Sequence, residues 1–279
     1  MDVKIGNRKF TFEEFRVIAQ SKKAISDPMY RKFIVRKISI FLTMIFLRLK
    51  ISANTITVLS MLCGVLAFLC FIISNYIGFL LALIFMQLWY LFDTSDGEVA
   101  RYHRYIDNAE DKLSLSGLFF DNINHHLVHM LIIFGFSIAI FKLDPDLKVI
   151  IAGFFLMTSV LFVRLVSDCK STAFLSRITK KKSFQVLTNA YTIPSSNTGL
   201  KVWIFSRAYS LFLFPKMLNI FSILIILLLV SNLKNAKIMA LIIIAYAILG
   251  TALMFIKIYR VINSKRTEEE YNKRFKEIE

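Results

Sequence analysis

Two short stretches of this 279-residue chain carry the residue types that could do chemistry. The first is Asp93-Thr-Ser-Asp96-Gly97-Glu-Val-Ala100-Arg101, and the second is Gly117-Leu-Phe-Phe-Asp121-Asn-Ile-Asn-His125. At about 100° per residue, the helical placement of Asp93, Asp96, Gly97, Ala100 and Arg101 covers about 140° of surface. Gly117, Asp121, Asn124 and His125 cover about 100°. Two antiparallel helices could therefore turn carboxylates toward each other, with Gly97, Ala100 and Gly117 leaving room for a ligand or a close helix contact. Oxygen ligands without cysteine suit a hard cation such as Mg²⁺, which shares its other positions with water and substrate phosphates. An adjacent Arg then grips a phosphate with two hydrogen bonds. The residues alone point to a divalent-metal, phosphate-handling site.

These acids need a reason to be where they are. A charged side chain at the centre of a membrane helix costs about 2.5–3.5 kcal/mol on insertion scales. The surrounding chain is 56% apolar with 27 Phe, yet carries a net charge of +16. Soluble domains are about 45–50% apolar. This composition excludes a basic nucleic-acid binder, a disordered tail and a disulfide scaffold. Cys63, Cys70 and Cys169 are expected as small core hydrophobes in a reducing or lipid setting. An isolated Asp at a helix end would snorkel or pair with a neighbour. Three Asp, two Gly, an Arg and a His on facing helix ends fit a ligand site better.

Six nearly uncharged runs are long enough to span a bilayer, at about Asn54–Ser74, Tyr76–Phe92, Leu115–Phe141, Leu147–Val166, Ala208–Val230 and Ala236–Ile256. The second continues as a polar helix toward Arg101, and Pro215 and Lys216 lie near the start of the fifth. The expectation is an all-α, polytopic membrane protein: a six-transmembrane-helix bundle with an N-terminal interfacial amphipathic helix. Residues 1–50 would form the N-terminal helices, 51–258 the membrane domain and 259–279 a charged tail. Met1–Phe10 lacks the apolar segment of a cleavable signal. Thr11 and Glu14 fit a capping box, and Asp27-Pro28 a second helix start. Ile38–Leu47 is too short to span and suits a helix lying on anionic headgroups. Asn54 and Thr55 would cap the first span. Of the 35 Lys and Arg, 30 fall on the side shared by both termini and 4 on the other, which places both termini and the acidic site in the cytoplasm.

The two stretches resemble the CDP-alcohol phosphatidyltransferase signature, D-x2-D-G-x2-A-R-x8-G-x3-D-x3-D. Seven of its eight fixed identities are present: Asp93, Asp96, Gly97, Ala100, Arg101, Gly117 and Asp121. Ile-Ser-Ala-Asn54-Thr-Ile-Thr57 also looks like the Thr-Pro-Asn-type opening of that family's first span. There are two departures. Fifteen residues, not eight, separate Arg101 from Gly117, and their Asp107, Glu110 and Asp111 are expected to be solvated. His125 stands where the family has its last Asp.

The resemblance implies transfer of a phosphatidyl or other phospho-alcohol group from a CDP-linked donor to a hydroxyl acceptor, with release of CMP, in phospholipid or related lipid synthesis. It implies that Asp93, Asp96 and Asp121 hold one or two Mg²⁺ or Mn²⁺ ions against the donor diphosphate. Gly97, Ala100 and Arg101 would accommodate the nucleotide, with Gly117 letting the third span approach. The family's final acid acts as base on the acceptor hydroxyl. His125 could take that role, could instead be a metal ligand favouring Mn²⁺, or could mark altered activity. Arg164 and Asp168 could form a salt bridge or border the acceptor pocket. His129 is read as a bundle histidine, His103 as a loop residue, and Lys180–Lys182 as a loop drawn to anionic lipid. The partners expected are the donor, the acceptor, membrane lipids and a second copy in a homodimer, and no nucleic acid. A cation transporter or channel and a metal-dependent phosphohydrolase are the alternatives.

Overall fold

A computed structural model describes residues 2–5, 8–20, 29–107, 115–179, 184–186, 209–212, 215–263, 267–269, 271–272 and 275–277. The elements run β1 (Asp2–Ile5), β2 (Arg8–Thr11), α1 (Phe12–Gln20), a single π-helical turn (Arg31–Val35), α2 (Arg36–Arg48), α3 (Ala53–Ile73), α4 (Tyr76–Ile106), α5 (Leu115–Leu143), α6 (Leu147–Thr179), β3 (Phe184–Val186), α7 (Lys216–Val230), α8 (Ala236–Ile262) and β4 (Phe275–Glu277). Among the described residues the fold is all-α but for two antiparallel two-stranded pairings, β1 with β2 and β3 with β4, which the apolar periodicity does not signal.

Among the described residues, five helices are long and apolar enough to cross a membrane: α3, α4, α5, α6 and α8. The chain is a polytopic integral membrane protein. The expected span at 208–230 differs from the rest. Its described apolar helix, α7, has 15 residues and starts after Pro215. At 1.5 Å per residue that is about 22 Å, short of a hydrocarbon core of about 30 Å. Pro215 lacks the N–H that a helix running on from Tyr209 would need there.

The chain divides into two compact units, Met1–Asp146 with Pro215–Ala240, and Leu147–Phe214 with Leu241–Glu279. In the first unit α3 and α4 form a hairpin. Ser74 takes a left-handed backbone, φ 57°, to end α3, and Asn75 caps α4 by accepting from the Gly78 N–H at 2.8 Å. Phe71, Phe79, Phe136 and Phe221 meet edge-to-face with ring centroids 5.4–6.3 Å apart, joining α3, α4, α5 and α7. At Gly64 a Cβ would lie 2.4 Å from a Val128 methyl, so α3 and α5 approach there through the missing side chain. Cys63 and Cys70 are buried as expected.

The N-terminal helices pack on α3 and α4 through Phe15, Ala19, Ile40, Met44, Phe46, Leu47, Ile56, Val99 and Tyr102. The capping box opens α1: the Thr11 N–H donates to Glu14 at 2.8 Å and the Glu14 N–H to Thr11 Oγ1 at 3.3 Å. Hydrogen bonds from the Thr11 backbone N–H and from its side chain hold the exposed Glu14 carboxyl below its ordinary pKa. On α2 the usual pattern is inverted. Arg36, Ser39 and Thr43 are buried, while Ile38, Phe41 and Ile45 are exposed. A polar interior with an apolar outer face is the arrangement of a helix that meets lipid.

In the second unit Lys257 donates to the Val163 carbonyl, Ser167 and Tyr209, and Arg177 bonds Glu268. Phe212 stacks on Tyr246 with ring centroids 4.3 Å apart.

Three local expectations are corrected. The cap of the first span is Ser52, whose Oγ accepts from the Thr55 N–H at 3.2 Å, so Asn54 and Thr55 lie inside the first turn. His103 is an exposed residue on the last turn of α4, because that helix runs to Ile106. Cys169 is exposed on α6, beyond the apolar run. Asp27-Pro28, Glu110, Asp111 and Lys180–Lys182 lie outside the described residues.

Candidate active site and metal centre

Asp93 and Asp96 stand three residues apart on α4 and are both buried, 6% and 7% exposed. Asp121 and His125 are four apart on α5, one turn, and so share a face. The hairpin and the α3–α5 contact bring the two helices together at this level. His125 Nε2 lies 3.3 Å from Asp93 Oδ1 and 3.4 Å from Asp121 Oδ1. Ligand atoms of the three residues all fall within 4.8 Å of one another. Adjacent ligands of one Mg²⁺ at 2.0–2.1 Å would be about 3 Å apart, so these residues fit a divalent ion with little adjustment. The Asp93 side chain is 3% exposed and that of Asp121 is 46% exposed, so the trio is closed on the α4 side and open beside Asp121.

Asp96 is placed differently. Its Oδ2 accepts a 2.6 Å hydrogen bond from Thr57 Oγ1 on α3, and it lies within electrostatic range of both Asp93 and Asp121. It stands outside the trio of mutually close ligand atoms.

A polar string fixes the register of α5. Trp89 Nε1 donates to Asn124 Oδ1 at 3.1 Å, Asn124 Nδ2 to Ser60 Oγ at 2.7 Å, and Ser60 Oγ to the Thr57 carbonyl at 2.8 Å. The indole also meets His125 and His129 edge-on, with ring centroids 5.9 and 5.5 Å away. His129 is buried one turn beyond His125. Thr57, Ser60, Trp89 and Asn124 thus tie α3, α4 and α5 together around the acids. The motif spacing named none of these roles, because the pairings between helices span 35 to 64 residues.

Gly97 and Arg101 lie one turn apart on α4, and a Cβ at Gly97 would come within 3.2 Å of Arg101 Nη1. The guanidinium lies across the bare glycine. Arg101 Nε donates to the Ala19 carbonyl at 2.5 Å. Ala100 is half-buried on the same helix, and Gly117 is half-buried in the first turn of α5. Arg31 Nη2 approaches Thr94 Oγ1 at 3.4 Å, and its guanidinium lies 5.7 Å from the Tyr90 ring centroid. The first unit therefore gathers Asp93, Asp96, Gly97, Ala100, Arg101, Gly117, Asp121 and His125. Arg164 is half-buried and Asp168 exposed on α6, in the second unit.

The family model for CDP-alcohol phosphatidyltransferases matches residues 50–205, which include both motif stretches and the helices that carry them. The chain belongs to this family. No match is found among curated proteins. Membership supports a transferase, and the family uses a CDP-alcohol donor and an alcohol acceptor. The family is divalent-metal dependent, and the Asp93–Asp121–His125 group is a candidate centre of that kind.

Proposed function

We propose that the protein transfers a phosphatidyl or phospho-alcohol group from a CDP-linked donor to a hydroxyl acceptor and releases CMP, in phospholipid or related lipid synthesis. The reading is carried by one observation: the imidazole of His125 faces two carboxylates from two helices at 3.3 and 3.4 Å. That geometry favours His125 as a metal ligand over a free-standing base. Asp93, Asp121 and His125 hold Mg²⁺ or Mn²⁺, and Asp96 adds a third carboxylate beside them. A bound divalent ion neutralises charge on the donor diphosphate and polarises the phosphoryl group under attack.

The remaining work falls to side chains. Arg101 grips donor phosphate across Gly97, and Ala100 and Gly117 leave space for the nucleotide and for helix approach. The acceptor oxygen forms a new bond to the phosphorus of the transferred group. The phosphoanhydride bond to CMP breaks, and the acceptor proton passes to Asp121, the half-exposed carboxylate on the open side. The charge asymmetry of 30 against 4 supports a site and termini facing the cytoplasm of a cell or plasma membrane. Residues 1–50 act as the lipid-facing N-terminal layer, 51–258 as the membrane domain and 259–279 as a charged tail.

The test is CMP release by purified protein over a panel of CDP-linked donors and hydroxyl acceptors. CMP is expected to appear only with both acceptor and Mg²⁺ or Mn²⁺. CMP formed without acceptor would make the enzyme a phosphohydrolase, and metal-independent turnover would overturn the centre.

A further inference from the structure

Glu98 sits inside the first motif stretch but at none of its fixed positions, and it is fully buried. Its Oε1 accepts from Gln20 Nε2 and Ser39 Oγ, each at 2.8 Å, and its Oε2 from Thr43 Oγ1 at 2.7 Å. Arg36 Nη1 is 3.6 Å from Oε1. Gln20 Nε2 also donates to the Arg36 carbonyl at 2.9 Å. Gln20 ends α1, while Arg36, Ser39 and Thr43 line the buried face of α2. A desolvated carboxylate is tolerated when its lone pairs are filled, and removing a partner from such a network is strongly destabilising. Glu98 therefore fastens both N-terminal helices to α4 one residue past Gly97.

The fastening reaches Arg101 through Ala19. The Ala19 carbonyl lies in the last turn of α1, where carbonyls have no intrahelical partner and the helix dipole is negative. It takes the Arg101 Nε–H. Held at Nε, the guanidinium has its Nη1 against Gly97. Free of that anchor, a long Arg side chain would sample many rotamers, and ordering it on the ligand would weaken binding.

We infer that Glu98 and Gln20 are positioning residues for the donor nucleotide: they hold the end of α1 where the Ala19 carbonyl pre-orients Arg101. The inference rests on the transferase reading above and adds the N-terminal helix to its donor site.

The test uses full-length protein in detergent, with CDP plus Mg²⁺ as probe in titration calorimetry. Separately, Mn²⁺ binding without nucleotide is followed by electron paramagnetic resonance. Glu98→Gln and the milder Gln20→Ala are each expected to weaken CDP binding about tenfold, the scale of one charged hydrogen bond. Mn²⁺ affinity should stay unchanged. In an Arg101→Ala background, Glu98→Gln should add no further loss. Unchanged CDP affinity in the folded variants, or full additivity with Arg101→Ala, overturns the inference while CDP binding by the wild type leaves the transferase reading standing. Loss of fold in both variants also overturns it, since Glu98 would then be a stability residue. A wild type that binds no CDP overturns the transferase reading itself.

Discussion

His125 Nε2 on α5 lies 3.3 Å from Asp93 Oδ1 on α4, and the same nitrogen is 3.4 Å from Asp121 Oδ1 one turn earlier on its own helix. One imidazole nitrogen thus stands between a buried carboxylate and a half-exposed one. In the reading proposed above a shared cation would sit at that convergence, and the departure from the family's final Asp would be a change of ligand chemistry.

His125→Ala should lower CMP release by about a hundredfold or more, because a direct metal ligand is lost. His125→Asp should keep measurable activity and shift the preferred ion from Mn²⁺ toward Mg²⁺, since an oxygen replaces a nitrogen. Metal-titrated CMP assays check both. Full activity in His125→Ala would falsify the metal-ligand role.

Chelation should abolish CMP release, and Mg²⁺ or Mn²⁺ should restore it. Metal binding to carboxylates and a neutral imidazole competes with protons. The metal concentration for half-maximal activity should therefore rise as pH falls. A flat dependence between pH 8 and pH 6 would count against His125 as ligand.

Thr57→Val removes the hydroxyl that donates to Asp96 at 2.6 Å and leaves a buried carboxylate oxygen without that bond. The expected loss of stability is about 1–3 kcal/mol. A lower midpoint in detergent thermal unfolding, together with reduced kcat, checks it. Thr57→Ser, which keeps the hydroxyl, should behave close to wild type.

Gly64→Ala places a methyl 2.4 Å from a Val128 methyl and must push α3 from α5. Overpacking of this kind destabilises by about 1–3 kcal/mol. Val128 is three residues from His125, so CMP release should fall with stability. Adding Val128→Ala should restore both; a double variant no better than Gly64→Ala alone would show that the contact does not set the helix approach.

Gly97→Ala meets the far end of a flexible side chain, Arg101 Nη1 at 3.2 Å, so the fold should tolerate it. Displacing the guanidinium should raise KM for the CDP donor about tenfold with little change in the unfolding midpoint. A fall in kcat at constant donor KM would place Arg101 elsewhere in the reaction.

Much of the site was legible before any fold. Asp93, Asp96, Gly97, Ala100 and Arg101, like Gly117, Asp121 and His125, are spaced by one helical turn or less, and local periodicity alone puts each set on one face. The apolar runs likewise give all the long helices and the capping box at Thr11 and Glu14, because burial in lipid and first-turn hydrogen bonding act over a few residues. Pro215, visible in the chain, marks where the run at 208–230 gives way to the shorter α7.

What the tertiary structure decided is which residues meet across helices. Glu98 reads as an ordinary polar residue between Gly97 and Val99, yet its partners are Gln20, Ser39, Thr43 and Arg36, 55 to 78 positions away for the three that donate hydrogen bonds from their side chains. The pairing of Thr57 with Asp96 and of Trp89 with Asn124 is set by how close packing at Gly64 and the α3–α4 hairpin bring the helices together, and that of Ala19 with Arg101 by the seating of α1 on α4 through Gln20 and Glu98. A chain's local periodicity fixes which side of a helix a residue occupies. The neighbour across the gap depends on rotation, register and close packing of several helices at once, and these are properties of the folded bundle.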